Sequence, residues 1–455
     1  MDAVRQTSRA VDAMSADWPT INALLGGTVA MRAAGKMLLP QWPNESQRAY
    51  DIRLAAATLF PAYARTVDVL SAKPFSRPIQ YSEDMPSQIK AWTDDIDLEG
   101  RGLHNFAADS LEAALGKGIC GILVEFPRTT ATGRRIDEKV AGVRPYFVHI
   151  KPEQFLGWRY RLVKGKPTLT QFRFLETVTE DAGEFGETDV EQVRVLYPGR
   201  WEIYRENDKH EWAIFDEGTT TLPVIPFVPV YGQRTGFMTG VPPLRDVAYM
   251  NVEHWQSKSD QQTILHFARI PILTMIGGGE DTELTIGGSR AVKVPIGGDL
   301  KFTEHTGAAI GAGRQSLLDL QDQMRQAGAE LLVIQPVKAV AQVESENEAG
   351  LCALGRTTLD LQDSLNQALW LMAQWVHEST GGTVEIYKDF GFNSLSEADA
   401  DLLLKMATAG KLSDETFFDE ARRRGLVAPD RTWAQEQERL NTQGPALGNI
   451  SVNGQ

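Results

Sequence analysis

The chain has 455 residues, of which 42% are hydrophobic and 8% aromatic, enough to bury a sizeable core and to support about two or three sub-domain cores. A formal net charge of −14 disfavours a protein that grips nucleic acid tightly, because grip comes from Lys and Arg neutralising phosphates. Two cysteines far apart, Cys120 and Cys352, argue against a disulfide framework and suit a reducing cytoplasm.

The N-terminus, Met1-Asp2-Ala3-Val4-Arg5, lacks the pattern of a secretion signal. The apolar stretch Ile21 to Leu39 is interrupted by Arg32 and Lys36, so it predicts an amphipathic helix and not a membrane span. Ser46 to Ala72 carries Ile52, Leu54, Ala55, Leu59, Tyr63, Val67 and Leu70 at helical spacing and predicts one helix with one buried face, stopped by Pro74 and Pro78. A second helix over Leu103 to Leu115 turns Phe106, Leu111 and Leu115 inward and runs into Gly116-Lys117-Gly118.

From Ile119 to Tyr231 the period changes to that of strands: Ile119–Phe126, Arg144–Ile150, Phe155–Leu162, Thr168–Phe174, Gln192–Tyr197, Trp201–Tyr204 and Glu211–Phe215. The connections are mostly too short for crossover helices, so antiparallel hairpins are expected.

Pro242-Pro243-Leu244 opens a proline-free segment to Arg269, a helix roughly 35 to 40 Å long. Asn251, Glu253, His254, Gln256, Ser257, Lys258, Ser259, Asp260, Gln261, Gln262 and Thr263 leave it little apolar surface, so neighbours must hold it through polar contacts. After Pro271 come short strands, Ile272–Ile276, Ser289–Val294 and Leu300–Thr303, around a Gly277-Gly278-Gly279 turn. A second long helix is expected from Gly313 to Leu332, with Leu317, Leu320, Met324, Ala327 and Leu331 on one face. Two long helices leading to a small β-tip and back make a projecting stalk, which would expose too much surface unless copies pack side by side.

Val333 to Gln342 reads as a loop whose single charge is Lys338, and a third long helix is expected from Ser345 to His377. Its apolar positions Leu354, Leu361, Leu365, Ala368, Met372 and Trp375 recur at close to heptad spacing, with Gly350 and Gly355 as kink points. One strand, Val384–Tyr387, follows. Short charged helices are then expected over Ala398–Thr408 (capped by Ser396), Thr416–Arg424 (capped by Ser413) and Arg431–Arg439, ahead of a disordered tail from Thr442.

This order of parts resembles the portal proteins of tailed bacteriophages. The residues that carry the resemblance are Gly240-Val-Pro-Pro-Leu-Arg-Asp-Val-Ala-Tyr-Met-Asn251 through His254 and Asp260 to Ile270-Pro271, the run Pro145–Ile150 with Pro152 and Trp158, and Gly410-Lys-Leu-Ser-Asp-Glu-Thr with Glu436 and Glu438. It covers nearly the whole chain, although the last region is shorter than in some portals and the loop around Lys338 is nearly uncharged.

The resemblance implies an α+β portal fold: a wing over residues 1–240, helical to about 115 and then β-rich, a first stem helix over 241–269, a clip over 270–310 and a second stem helix over 311–332. A tunnel loop over 333–343, a long kinked helix and wing strand over 344–393, a crown over 394–441 and a disordered tail over 442–455 complete it. It further implies a dodecameric ring at one capsid vertex, assembled in the host cytoplasm. Double-stranded DNA would pass without sequence specificity, and the major capsid protein, the terminase large subunit and the head–tail adaptor would be partners. No catalysis, cofactor, metal or membrane is implied.

By position, the resemblance places Ile334, Gln335, Val337 and Lys338 at the tunnel loop, with Lys338 as phosphate contact. It places Thr274, Glu280, Asp281, Arg290, Lys293 and Lys301 on the clip. Asp319, Asp322 and Glu330 either face the lumen or pair with Arg314 and Arg325 between subunits. A channel that must let DNA slide gains from having few phosphate anchors, so net acidity fits it.

Other signals favour structure over chemistry. Gly350-Leu-Cys-Ala-Leu-Gly355-Arg356-Thr357 imitates a phosphate-binding loop, but acidic, helix-like residues precede it where a strand is required. His254 and His266 have no metal-ligand spacing, and Asp94, Asp95 and Asp97 read as a solvated loop. The remaining readings are an α+β enzyme with Cys120 or His149 catalytic in a pocket of the β-rich region, and a non-conduit adaptor or scaffold protein.

Overall fold

The computed structural model describes residues 2–127, 143–269, 272–276, 298–303, 308–332, 352–388, 390, 404–423, 427 and 431–442. The chain begins with α1 (Arg9–Ser15), α2 (Trp18–Leu25) and α3 (Gly27–Ala33). The single helix expected over 46–72 is instead two, α4 (Gln47–Ala56) and α5 (Ala62–Ala72). Pro61 immediately precedes α5, and a proline has no N–H to donate while its ring disfavours a helical residue before it. The interruption resets the buried face: Ile52 is 63% exposed, whereas Tyr63, Val67 and Leu70 are buried. After the short β1 (Gln80–Tyr81) and α6 (Ser87–Trp92), α7 (Leu103–Lys117) buries Phe106, Leu111 and Leu115 on one side, as its spacing predicts.

The β-rich region contains β2 (Ile119–Glu125), β3 (Tyr146–Ile150), β4 (Phe155–Val163), β5 (Lys166–Asp181) and β6 (Glu187–Tyr197). It continues with β7 (Arg200–Glu206), β8 (Trp212–Thr219), β9 (Phe227–Tyr231), and the small hairpin of β10 (Gln233–Gly236) and β11 (Thr239–Val241). They pair antiparallel as a three-stranded sheet, β3-β2-β9, and a five-stranded meander, β4-β5-β6-β7-β8.

β2 shows why its sequence is continuously apolar: both faces are covered. Cys120, Ile122 and Val124 join the large core formed with the helices, while Ile119 and Leu123 join a second core with Phe155, Phe172, Phe174 and Phe227 of the meander and β9. Gly121 lies on the second face because a Cβ there would sit 2.2 Å from the Phe227 ring. Two strands run longer than expected, β5 to Asp181 instead of Phe174 and β6 from Glu187 instead of Gln192. Their extra residues are mostly polar, and Leu175, Val178 and Val190 are too sparse among them to set up an apolar alternation.

Then come α8 (Arg245–Ala268), a hairpin of β12 (Ile272–Ile276) with β13 (Asp299–Thr303), and α9 (Ala308–Glu330), which starts earlier than Gly313. The strand expected over Ser289–Val294 lies outside the described residues. α10 (Ala353–Trp375) buries Leu354, Leu361, Leu365, Ala368 and Met372 in the large core; its expected first turns from Ser345 and Gly350 also lie outside. β14 (Val384–Glu385) pairs with β1, and α11 (Asp414–Arg423) and α12 (Trp433–Thr442) follow. Ser413 caps α11 with its hydroxyl accepting from the Thr416 N–H at 3.1 Å, while Ser396 and the tail beyond Thr442 are outside the described residues. No helix among the described residues is long and apolar enough to cross a membrane.

Candidate functional site: a long helix pair ending in a hairpin

α8 and α9 run side by side in opposite directions. Gln261 near the far end of α8 meets the start of α9, donating to the Ile310 carbonyl at 3.0 Å, and His254 one third of the way along meets Gln321 at 2.9 Å. A Cβ on Gly313 would sit 2.1 Å from the Gln261 amide oxygen, so a larger residue there would make the Gln261 side chain move from its place against α9.

The polar sequence of α8 is explained by what it touches. Asn251, fully buried, accepts from the Tyr63 N–H at 2.9 Å and donates to the Phe60 carbonyl at 2.9 Å. Both groups lie at the start of α5, where the Tyr63 N–H has no partner within its own helix and the Phe60 carbonyl accepts from the Ala62 N–H at 2.8 Å as well as from Asn251, so one side chain ties down both sides of the Pro61 break. Gln256 donates to the Leu38 carbonyl at 3.0 Å. His254 is buried beside Phe60, ring centroids 5.2 Å apart, and burial lowers its pKa. A neutral ring is what allows Gln321 to donate to the bare Nε2.

The expectation that polar contacts alone hold this helix is corrected in one respect: Val247, Ala248 and Trp255 enter the large core. Close by, Arg53 makes a two-pronged contact with Glu45, both distances 2.8 Å, in a pair only 5% exposed on each side. The Arg53 hydrogen bond lowers the Glu45 pKa, and the guanidinium lies 4.1 Å from the Trp42 ring.

Burial fades along the pair. Among the described side chains, the last buried one on α8 is Gln261; on α9 those from Ile310 to Asp319 are exposed or half-buried, and Leu320 is the first one buried. The hairpin end of the pair therefore stands clear of the core, while the other end is rooted among α2, α4 and α5.

Of the acids singled out on the second long helix, Asp319 is exposed and accepts from Gln315 at 2.7 Å. Asp322 pairs with Arg325 of the same helix at 2.7 Å with both side chains more than 70% exposed, and Glu330 is exposed. Thr274 and Lys301 stand opposite one another in the β12–β13 register. Glu280, Asp281, Arg290 and Lys293, and Ile334, Gln335, Val337 and Lys338, lie outside the described residues.

The candidate catalytic groups are not brought to a pocket. Cys120 is fully buried, burial pushes its thiol pKa up, and the thiol contacts the Ser110 carbonyl at 3.2 Å. That makes it a poor nucleophile. Burial lowers the His149 pKa to about 4. Neither lines either of two surface concavities among the described residues, one against Glu125, Tyr146, Arg194 and Trp375, the other of about 440 Å³ against Phe237 and Trp370.

In the phosphate-loop imitation, Gly355 donates its N–H to the sulfur of Cys352, the helix cap, and the Thr357 hydroxyl is spent on the Gly232 carbonyl at 3.0 Å. Asp97 caps the N–H groups of Glu99 and Arg101, and Asp95 pairs with Arg144 at 2.8 Å, so these carboxylates brace a loop. Among the described residues no cluster of His, Cys, Asp and Glu could hold a metal.

Sequence reasoning missed the joint between the two sheets. Arg194 on β6 reaches Glu125 on β2 and, at 3.4 Å, Glu176 on β5, while Tyr146 donates to Glu125 at 3.1 Å. The signal was there in Arg194, a charge set between the apolar residues Val193 and Val195.

A family described only as a domain of unknown function, DUF4055, matches residues 243–376, which span the helix pair, its hairpin and α10. No curated protein matches. Among solved structures, a chain of the virion of a native gene transfer agent particle superposes with a TM-score of 0.42 at 12% identity, covering 89% of this chain and 99% of that one. A chain from the neck of the native particle, computed with C12 symmetry, gives 0.42 at 12% identity over 88% and 93%. These likenesses fall below the level at which shared architecture can be argued from them.

Proposed function

We propose that the chain is a ring-forming channel subunit of the tailed-phage portal class, through which double-stranded DNA enters and leaves a capsid. The observation that carries this reading is the antiparallel pair α8 and α9, rooted in the core at one end and ending in the hairpin β12–β13 at the other, with burial lost toward the hairpin. A lone subunit gains nothing from holding the outer part of two helices, of 24 and 23 residues, out into water. Copies arranged around an axis cover them laterally, and a closed ring is the point-group solution for a head-to-tail contact.

In this reading residues 241–269 and 311–332 form the stem. The clip over 270–310 meets terminase and adaptor through Thr274, Glu280, Asp281, Arg290, Lys293 and Lys301. Ile334, Gln335, Val337 and Lys338 border the DNA, and Lys338 touches phosphate. Asp319, Asp322 and Glu330 face the lumen and keep the duplex from adhering. The ring has about a dozen copies, sits at one vertex of the virion and makes no covalent change in its cargo.

Immunogold labelling of particles that contain the chain tests the location. Label at a single vertex, at the junction of head and tail, is expected; label spread over the shell or along the tail contradicts the reading.

A further inference from the structure

The two ends of β5 carry opposite charge. Past the point where β7 stops pairing, at Gln192 opposite Arg205, β5 and β6 continue alone as a two-stranded arm over residues 177–191. This arm has six carboxylates, Glu180, Asp181, Glu184, Glu187, Asp189 and Glu191, and no basic residue. Glu180 and Glu191 pair with Arg205 and Arg5 at its root, and Asp189 accepts from Thr179. Asp181, Glu184 and Glu187 crowd the tip around Phe185, which is 94% exposed.

At the other end, the turn from β4 into β5 carries Arg159, Arg161, Lys164 and Lys166 and no acid between Gly157 and Thr168. Leu162 and Val163 are 70% and 51% exposed there. Beside it opens the 440 Å³ groove, in which Lys166 and Arg234 face Leu169, Phe237 and Trp370, with Asp360 and Asp363 on its α10 wall.

β5 has 16 residues, so at ~3.3 Å per residue the two poles lie roughly 50 Å apart and cannot meet within one chain. An isolated two-stranded arm is marginal in water and exposes an aromatic side chain for no folding benefit. We infer that the acidic arm of one copy docks on the basic β4–β5 turn of the next, with Phe185 entering the neighbouring groove. The two surfaces differ, so the contact is head-to-tail and repeats from copy to copy. This inference rests on the ring reading for its closed form, but the pairwise contact can be tested without a ring.

Two full-length variants separate the cases. One neutralises the turn (Arg159→Gln, Arg161→Gln, Lys164→Gln); the other neutralises the arm tip (Asp181→Asn, Glu184→Gln, Glu187→Gln). Circular dichroism checks that both fold, and sedimentation at low and high salt reads their mass. Each variant alone should remain at subunit mass. Their mixture keeps one good arm and one good turn, so it should give a two-subunit species that dissociates as salt rises. Adding Phe185→Ser to the turn variant, whose arm is intact, should abolish that species.

Variants that assemble alone as the unaltered chain does, or a mixture that stays at subunit mass, would overturn the docking contact whatever ring the unaltered chain forms. A two-subunit mixture beside an unaltered chain that never closes a ring would keep the contact and remove the ring reading.

Discussion

α8 and α10 are almost equal in length, 24 and 23 residues, and are held in place by different physics. α10 presents a stripe of Leu354, Leu361, Leu365, Ala368 and Met372 to the core, and its position follows from apolar area withdrawn from water. α8 has no such stripe along its length. Beside Val247, Ala248 and Trp255 in the core, it is placed by side-chain amides, Asn251, Gln256 and Gln261, each finding a backbone group on another segment. An apolar stripe tolerates substitution as long as volume is conserved, whereas an amide bridging two backbone groups admits few replacements. A helix rooted by directional bonds at its base and left uncovered at its tip suits an element whose outer part is completed by other copies.

Truncation of the stripe should have the largest effect. Leu365→Ala removes a fully buried side chain and should cost about 2–5 kcal/mol in chemical denaturation, whatever the oligomeric state. A cost below about 1 kcal/mol would remove the contrast.

Asn251→Ala comes next, at about 1–3 kcal/mol, because it strands the Tyr63 N–H and takes one of two donors from the Phe60 carbonyl. Asn251→Asp should restore the acceptor but not the donor and fall between, measured in the same way.

His254 gives a smaller, pH-dependent effect. Its folded pKa lies below the ordinary value, so the fold favours the neutral ring. That contribution is complete above about pH 6.5 and is lost as pH falls below it toward the lower folded pKa. Over that window the unaltered chain should lose more stability than His254→Gln; parallel pH profiles would contradict the hydrogen-bond assignment to Gln321.

Smallest is Asp322→Asn at the uncovered part of α9, where an exposed ion pair contributes at most about 0.5–1 kcal/mol. Its effect on subunit unfolding should be near the detection limit. A larger loss there would mean that the outer part of the pair is not solvated in the lone subunit.

What the sequence reveals follows the same division. Elements that owe their place to apolar periodicity are legible: the inward Phe106, Leu111 and Leu115 of α7, the continuous run of β2, and the heptad-like spacing of α10. The polarity of α8 was readable as a need for polar neighbours, but Asn251, His254 and Gln261 carry no mark of which backbone groups they meet. The break between α4 and α5 was missed because helical spacing continues through Pro61 by coincidence. The arm over 177–191 was missed because a ladder exposed on both faces needs no alternation.

The most direct test of the channel reading is the mass of the purified chain by native mass spectrometry, with negative-stain images of the same sample. The account predicts closed rings of about a dozen copies with a central hole wide enough for duplex DNA. A sample that remains a monomer or dimer at every concentration, or rings whose centre is filled by protein, would contradict it.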